Sequence, residues 1–311
     1  MSYPITSNPE DVRRRIAAKQ SELETTVPGY GLLLLAVWLV ALIAYLKKAL
    51  CGAIGVTPSC NSGLFDGLGV KCREIKEGAK RWPALHALYG YSRDSKYIAS
   101  PVQRMIDRLW LLGMKNPRGV RNRLRIVVSA LSEELRAVLQ KKETVTVLSL
   151  ACGSAEAVFQ AIAALGNDKH RVRLVLLDQD QTAIAYATNE ASRQGVSVET
   201  IKASVARLKG VVKTKVDIIE MVGLLDYLND GTAQGLFERI YESLVPNGLF
   251  VTANIIPNLE RPFLRYCADW EMIYRTPEKL SELCGFVFNS GVEVVNEPLN
   301  IHAIAFCRKN H

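Results

Sequence analysis

The second half of the chain alternates short apolar runs with amphipathic stretches. Runs rich in β-branched residues predict strands, and apolar residues at helical spacing predict the helices between them. The predicted strands are 144–150, 172–177, 196–201, 216–221 and 249–254. The predicted helices are 155–165, 181–194 and 232–244, and a turn at Pro246-Asn247-Gly248 follows the last of them. This alternation favours a parallel sheet with right-handed crossovers.

Two further strands are predicted near the C-terminal end. They cover 292–295 and 301–306, follow a helix near 278–284, and form a predicted hairpin. Such a hairpin adds an antiparallel edge to a parallel sheet. We therefore expect an α/β fold with a Rossmann-like, seven-stranded, mostly parallel sheet, preceded by a helical N-terminal region.

A long apolar run occupies residues 29–46, and Lys47 and Lys48 follow it directly. As a helix it would be ~27 Å long, close to the hydrocarbon thickness of a bilayer. Tyr30 and Tyr45 lie near its ends, where interfacial aromatic residues are favoured. The run predicts a membrane anchor that spans or enters the bilayer, with the C-terminal part in the cytoplasm by flanking charge. The alternatives are a buried helix of a helical subdomain or a contact between subunits.

These patterns divide the chain into four parts: a polar segment at 1–28, the hydrophobic helix at 29–48, a linker and helical pre-domain at 49–140, and the sheet domain at 141–311. The net charge of +8 is uneven, because residues 1–140 carry +10 and the remainder carries −2. A basic segment indicates an anionic membrane surface, an anionic substrate or nucleic acid as its partner.

The cysteines and histidines bear on the redox state and on metal binding. Seven cysteines without a Cys-x-x-Cys pair favour reduced thiols in a cytosolic domain over a disulfide framework. The four histidines are dispersed, and we expect no metal site.

Ligands of an open parallel sheet bind beyond the carboxyl ends of its strands. The first predicted strand ends in small residues, which let the backbone approach a ligand closely. These residues are Ala151, Cys152, Gly153 and Ser154. The turn lacks the Gly-x-Gly-x-x-Gly fingerprint of dinucleotide-binding proteins, and by itself it is equally a tight strand-to-helix turn.

Acidic residues follow the second strand. Asp178, which lies 25 residues after Gly153, can accept both ribose hydroxyls of a nucleoside, and Gln179 is adjacent to it. Asp180 has a strong structural alternative, because it can cap the next helix.

The fourth predicted strand is an apolar run that ends at Met221, Val222 and Gly223. Gly223 indicates a close backbone approach where a buried central strand ends. Asp226 and Tyr227, just beyond it, either face a substrate or have a structural role.

Together these strand ends resemble the class I S-adenosylmethionine (SAM)-dependent methyltransferases. The shared pattern is a small-residue loop, an acid after strand two, a central strand four and a Pro-x-Gly turn before strand five, over roughly residues 116–308. The chain departs from it at Ala151 and Ala155, where further glycines are often found. The resemblance implies SAM as the cofactor. The implied cofactor contacts are Ala151, Cys152, Gly153, Ser154, Asp178, Gln179, Ser204, Met221, Val222 and Gly223.

Five segments also resemble bacterial methyltransferases that make hydroxy-fatty-acid methyl esters used as extracellular signals. The segments are 116–123, 148–153, 177–180, 223–228 and 269–275. This narrower resemblance implies a small or lipidic acceptor, which a membrane-embedded N-terminal helix would suit.

The kind of acceptor determines which residues the reaction needs. A carboxylate acceptor is already ionised and needs a cationic clamp, for which Arg275, Arg121 or Arg123 would serve. A hydroxyl or amine acceptor needs a base, for which Asp226, Glu220 and Tyr274 are candidates. The predicted catalytic set is Asp226, Tyr227, Tyr274 and Arg275.

Arg118, Arg121, Arg123 and Arg125 leave open a solvated basic face or an anion-facing patch. Two other functions are also open. One is a nucleic-acid (RNA) methyltransferase, although the segment 220–223 lacks the Asn/Asp-Pro-Pro-aromatic tetrad of base-amine methylation. The other is a non-catalytic, membrane-tethered module that binds SAM.

Overall fold

The computed structural model describes residues 23–92 and 95–310, so most of the predicted polar segment at 1–28 lies outside the described residues. Seven strands form one sheet. They are β1 Val145–Leu150, β2 Val172–Asp178, β3 Val198–Lys202, β4 Val216–Val222, β5 Leu244–Ile255, β6 Val292–Asn296 and β7 His302–Arg308. Their order across the sheet is β3-β2-β1-β4-β5-β7-β6.

The pairing of the strands confirms the expected fold. β1 pairs in parallel with β2 and β4, β2 with β3, and β4 with β5. β7 pairs antiparallel with both β5 and β6, which forms the C-terminal hairpin. β1 and β4 are central and almost entirely buried, which explains why their sequences are continuous apolar runs rather than alternating ones.

Eleven α-helices surround this sheet in the described part of the chain. They are α1 Tyr30–Ala53, α2 Val70–Glu77, α3 Trp82–Gly90, α4 Pro101–Leu111, α5 Lys115–Leu139, α6 Glu156–Ala163, α7 Gln181–Gln194, α8 Leu208–Val211, α9 Asp230–Ser243, α10 Arg261–Tyr266 and α11 Pro277–Phe288. The local sequence explains where helices start. In α4, Ser100 is the N-cap, Pro101 is the first helical residue, and Gln103 completes the capping box with Ser100.

Three apolar clusters hold these layers together. One face of the sheet packs against α5, α6 and α7, and the other packs against α8, α9 and α11. The third cluster joins α1 to α4 with α10 and reaches the sheet at Ile255, the last residue of β5. The N-terminal helices therefore lie near the carboxyl edge of the sheet, where ligands of such folds bind.

Two boundaries differ from the sequence expectation. β5 runs through Pro246-Asn247-Gly248 instead of starting after it, because Asn247 adopts a left-handed φ of 61° within a bulge and the pairing register shifts there. The hydrophobic helix predicted at 29–48 also runs further, since α1 ends at Ala53.

Glu24 binds three of the four arginines at positions 118–125. Arg118 donates to its carboxylate from Nε at 3.0 Å, Arg121 donates from both Nε and Nη2, and Arg125 donates from Nη1 at 3.3 Å. These three arginines are paired inside the protein, and Arg123 alone faces the opposite way, towards the sheet.

Candidate active site

The loop after β1 has a left-handed course at three of its residues. Ala151, Gly153 and Ala155 have φ angles of 48°, 52° and 50°. Glycine adopts this conformation freely, whereas an L-residue with a Cβ costs roughly 1–2 kcal/mol there. The two alanines therefore keep a backbone course that suits glycine. Strain of this kind concentrates at ligand-binding sites.

Asp178, at the end of β2, holds this loop. Its buried carboxylate accepts hydrogen bonds from the backbone N–H groups of Gly153 at 2.9 Å and Asp180 at 2.8 Å. Because each carboxylate oxygen has two lone pairs, Asp178 retains capacity for two hydroxyl donors. Asp180 itself accepts from the backbone N–H of Thr182 and caps α7.

Helix α3 covers both glycines of the predicted cofactor site. A Cβ on Gly153 would lie 3.0 Å from Cβ of Trp82, and a Cβ on Gly223 would lie 2.9 Å from Cδ1 of Leu85. Gly223 also has a φ of 106°, which disfavours any side chain. Trp82 is fixed by a hydrogen bond from its Nε1 to Oγ1 of Thr182 at 3.0 Å. Neither strand end has room for a residue larger than glycine.

A small cavity lies beside Gly223. Its volume is about 30 Å³, which holds roughly two water molecules. Most of its wall is apolar and comes from α3, α5, α10 and the segment before Tyr274, as Leu85, Leu88, Val120, Leu264 and Met272 show. The polar side chains of the wall are Asn116, Arg123, Asp226, Tyr227 and His302, together with the two indoles of Trp110 and Trp270.

Arg123 is the buried cation of this cavity. Its Nη2 donates to the hydroxyl of Tyr89 at 3.0 Å, and its Nη1 lies 4.0 Å from Oδ2 of Asp226. Its Nε has no hydrogen-bond partner among the described residues, and neither has Nε1 of Trp110 on the same wall. Both atoms can only donate, so the wall has unused capacity to bind oxygen atoms of a ligand.

Burial shifts the titration of the groups around Arg123. It raises the pKa of Asp226 to about 6 and that of Glu220 to about 7, and the positive charge of Arg123 opposes both shifts. Burial and the same positive charge hold the pKa of His302 well below its usual value. His302 is therefore neutral near pH 7.

Arg275, a predicted catalytic residue, is fully engaged within the protein. Its guanidinium donates to Asp230 at 2.8 and 2.9 Å, to Oδ1 of Asn254 at 2.6 Å, and to the carbonyl oxygens of Leu225 and Leu228. These contacts fix the segment after β4 in place. The structure thus gives Arg275 a positioning role for Asp226 and Tyr227.

The two predicted tyrosines differ in their surroundings. Tyr227 lines the cavity, and its hydroxyl accepts a hydrogen bond from Nε1 of Trp270 at 2.6 Å. Tyr274 lies outside the cavity wall, and its buried hydroxyl has no hydrogen-bond partner among the described residues. Arg261 stacks over the ring of Tyr274 at 4.8 Å.

The remaining predicted cofactor contacts lie at the same edge of the sheet. Cys152, Ser154 and Met221 are buried, Val222 is partly buried, and Gln179 is exposed next to Asp178. Ser204 follows β3 and caps a short 3₁₀ turn through the backbone N–H of Ala206. The edge is thus assembled from the ends of β1, β2, β3 and β4.

Trp110, Asn116 and His302 were not predicted as site residues from the sequence, and Arg123 was predicted only as one of three possible clamps. Arg123 had a usable signal, because it lies three residues after Val120 and four before Val127, both of which are buried. That spacing places it on the inner face of α5. Trp110 and His302 lie far away in sequence and offered no comparable signal.

Comparisons with known proteins agree with this geometry. A family model described as a methyltransferase domain matches residues 147–248, about a third of the chain. No curated protein matches the sequence. The chain is similar in structure to a "possible exported protein" from Bordetella parapertussis, at 16% identity and a TM-score of 0.65, over 92% of this chain and 100% of that one.

A looser structural similarity is to magnesium protoporphyrin IX methyltransferase from Synechocystis PCC 6803, solved with SAH bound. The identity is 10% and the TM-score 0.48, over 70% of this chain and 90% of that one. The domain match at residues 147–248 supports a SAM-dependent methyltransferase with SAM as its cofactor.

The residues at this edge fit that cofactor. Asp178 presents a buried carboxylate with free lone pairs for ribose hydroxyls. The left-handed loop at 151–155 and Gly223 also lie at this edge, and the close approach to Gly153 and Gly223 is made by Trp82 and Leu85 of α3. Helix α3 therefore covers the predicted cofactor site.

Replacing Asp178 with alanine is expected to weaken SAM binding at least tenfold. The loss corresponds to ~1.5 kcal/mol or more for hydrogen bonds to a charged group. Isothermal titration calorimetry measures it directly. The matched control is Asp180→Ala, which removes the cap of α7 and leaves the ribose contact intact. Equal affinities of wild type and Asp178→Ala would contradict the assigned role.

Replacing Glu220 with glutamine is expected to flatten the dependence of stability on pH. The folded protein holds a proton on Glu220 up to about pH 7, whereas the ordinary pKa is 4.5. Between these values the folded state binds more protons, so the free energy of unfolding falls as pH rises, by up to roughly 3 kcal/mol. The contribution is complete below pH 4.5 and lost above pH 7.

Urea denaturation at pH 5 and pH 8 compares the two proteins. Glu220→Gln should lose less stability between these pH values than wild type, and the exposed Glu143→Gln should behave as wild type. If Glu220→Gln lost as much stability as wild type between pH 5 and pH 8, Glu220 would be ionised in the folded protein over this whole range.

Proposed function

We propose that this protein is a methyltransferase that transfers the methyl group of SAM to the carboxylate of an amphipathic acid. The observation that carries the proposal is the pair of unpartnered donors, Nε of Arg123 and Nε1 of Trp110, on the wall of a mostly apolar cavity beside Gly223. A carboxylate offers oxygen atoms for both donors, and apolar walls suit a hydrocarbon body.

The chemistry places few demands on the protein. SAM, when bound, supplies a methyl group that its sulfonium has already activated. A carboxylate is ionised at neutral pH and needs no base, so the protein's task is to align it and exclude water. Arg123 holds the carboxylate, and the neighbouring Asp226, with its raised pKa, accommodates the second negative charge by taking up a proton.

The apolar surroundings of the cavity favour a lipidic body for the acid. Leu264, from α10, and Trp110, from α4, line the cavity. Other residues of the same two helices are exposed at the protein surface. The arrangement agrees with the resemblance to hydroxy-fatty-acid methyltransferases. It gives little support to RNA as acceptor, because Arg118, Arg121 and Arg125 are engaged by Glu24.

A hydroxyl acceptor is the second candidate. It is favoured by Asp226, which lines the cavity and, with a pKa of about 6, is mostly ionised near neutral pH and able to act as a base. Asp226→Asn separates the two candidates, since it keeps the acceptor oxygen for the backbone N–H of Ile255. Methylation of a hydroxyl would be lost in this variant, whereas methylation of a carboxylate would persist.

Replacing Arg123 with lysine is expected to lower kcat/KM for acid methylation about 100-fold, because the ammonium group of lysine cannot replace both the free Nε donor and the Nη2 contact with Tyr89. The assay incubates purified protein with labelled SAM and a series of fatty and 3-hydroxy fatty acids, and counts methyl ester. The matched control is Arg125→Lys on the same helix, whose partly exposed guanidinium binds Glu24.

The outcome separates the proposed functions. Transfer to fatty alcohols instead of acids, with Arg123→Lys as active as wild type, would replace the carboxylate acceptor by the hydroxyl one. SAM binding without transfer to any fraction of a cell extract would favour the non-catalytic module.

We also propose that α1 attaches this enzyme to a membrane. Among the described residues, α1 is the one helix that is long and apolar enough to cross a bilayer. Its mean hydropathy is 2.1 over a window of 18 residues. In cell fractionation, the full-length protein is expected in the membrane pellet and to be released by detergent but not by 1 M salt. A soluble protein without detergent would reject the attachment.

A further inference from the structure

Helix α1 has an exposed stripe made of leucine alone. Its members recur three or four residues apart, which places them on one side of a helix. They are Leu32, Leu35, Leu39, Leu42, Leu46 and Leu50, and each is between 52% and 77% exposed. We call these six residues the leucine face. Ile54 and Val56 extend this apolar surface beyond the helix end.

The opposite side of α1 is packed against the rest of the protein. Leu34, Ala41 and Ala44 are buried there, and the two alanines permit a close approach to α10. At one end of α1, Tyr30 donates its hydroxyl hydrogen to Glu260 at 2.7 Å. At the other end, Lys48 forms an ion pair with Asp269.

Contacts also hold the middle of the helix. Nε1 of Trp38 donates to the carbonyl oxygen of Leu259 at 2.7 Å, and the ring of Tyr45 packs against that of Tyr266 at 5.0 Å. From Tyr30 to Lys48, α1 is thus fixed to the domain over ~27 Å, at 1.5 Å per residue. If α1 crossed a bilayer in this position, the domain and its charged groups would be drawn into the hydrocarbon.

The composition of the exposed side favours lipid over a second copy of the chain. A seam between two helices carries charged residues beside its leucines, and a protein interface has a polar rim. Here Trp38 and Ile43 flank the leucine face, and α1 carries no charged residue between Tyr30 and Lys47. Trp38 and Tyr45 form one edge of the face, where interfacial aromatic residues are favourable.

Basic side chains lie on the aromatic side of the leucine face and complement an anionic headgroup layer, and one of them, Arg265, also pairs with Glu271 at 3.4 Å. Arg261 and Arg265 are exposed on α10, on the same side as Trp38 and Tyr45, since Arg265 stacks on Tyr266. Lys115 lies over the ring of Tyr30 at the start of α1. A lipid surface therefore meets leucine in the centre and cations at the edge.

From these contacts we infer that α1 lies flat in one leaflet of an anionic bilayer, with the leucine face inserted and the domain outside. The inference deepens the proposed membrane attachment and rests on it, and it replaces a spanning helix by an interfacial one. It is independent of which acceptor the enzyme methylates.

Flotation with phosphatidylethanolamine/phosphatidylglycerol vesicles tests the inserted face. We expect the full chain to float and the double variant Leu35→Glu/Leu42→Glu to lose at least 90% of its floated fraction. The matched control is Phe286→Glu, which replaces an exposed apolar residue of α11 and should float as wild type. SAM affinity, measured in parallel, should equal that of wild type in both variants and so shows that they are folded.

Depth measurements distinguish a flat helix from a spanning one. In a Cys51→Ser/Cys60→Ser background, Leu32→Cys, Leu39→Cys and Leu46→Cys each carry a fluorophore quenched by lipids spin-labelled at known depths. A flat helix gives the same shallow depth at all three positions. A spanning helix places position 39 about 10 Å deeper than the others, which would overturn the inference.

Failure to float, together with a dimer in sedimentation that Leu35→Glu/Leu42→Glu dissociates, would also overturn it and assign the leucine face to a second copy. Loss of methyl transfer with normal flotation would instead count against the proposed reaction alone.

Discussion

The buried guanidinium of Arg123 acts on the buried titratable groups around the end of β4, namely Glu220, Asp226 and His302. A charge in this position must be compensated, and Asp226 at 4.0 Å and the hydroxyl of Tyr89 do so. The same charge opposes the burial-driven rise of the pKa of Asp226 and of Glu220, and it helps to keep His302 neutral. Since Arg123 belongs to α5, a helix that precedes the sheet supplies the cation that acts on Asp226 and Glu220.

Helices outside the sheet also line both proposed ligand positions. Helix α3 closes over the two glycines of the cofactor edge through Trp82 and Leu85. Helix α10 lines the acceptor cavity with Leu264 and packs against α1 on its other side. One layer of helices thus separates the cavity from the leucine face. In the proposed function, an acid held in a leaflet would therefore lie one layer of helices away from Arg123.

The sequence predicted the sheet well and the site in part, for a physical reason. Strand positions follow from local composition, so β1, β2 and β4 lie where apolar runs predicted them. The backbone conformation of the loop at 151–155 was harder to predict. Alanine rarely adopts left-handed conformations, and the sequence alone does not reveal that Ala151 and Ala155 do. The strand β5 begins at Leu244, before the predicted start at 249, because a bulge at Asn247 accommodates the turn sequence within the strand.

The roles of the arginines depended on contacts between distant parts of the chain. Arg121 and Arg123 differ by two residues and hence by over half a turn of α5. One of them meets Glu24, almost a hundred positions earlier, and the other meets Asp226 after β4. No local pattern contains either partner. Both arginines are buried, and only the helical phase relative to Val120 and Val127 distinguishes the one that faces the sheet from the one that faces Glu24.

Helix α1 shows how an apolar sequence can conceal two different faces. A run without charge meets the length criterion for a membrane span, and hydropathy gives leucine and alanine the same sign. The difference lies in size, because Ala41 and Ala44 allow backbone approach to the domain, whereas the large leucines are left outside. An apolar helix with one side committed to protein has only the other side available for lipid. Its side-to-side asymmetry, rather than its total hydrophobicity, therefore determines how it meets a membrane.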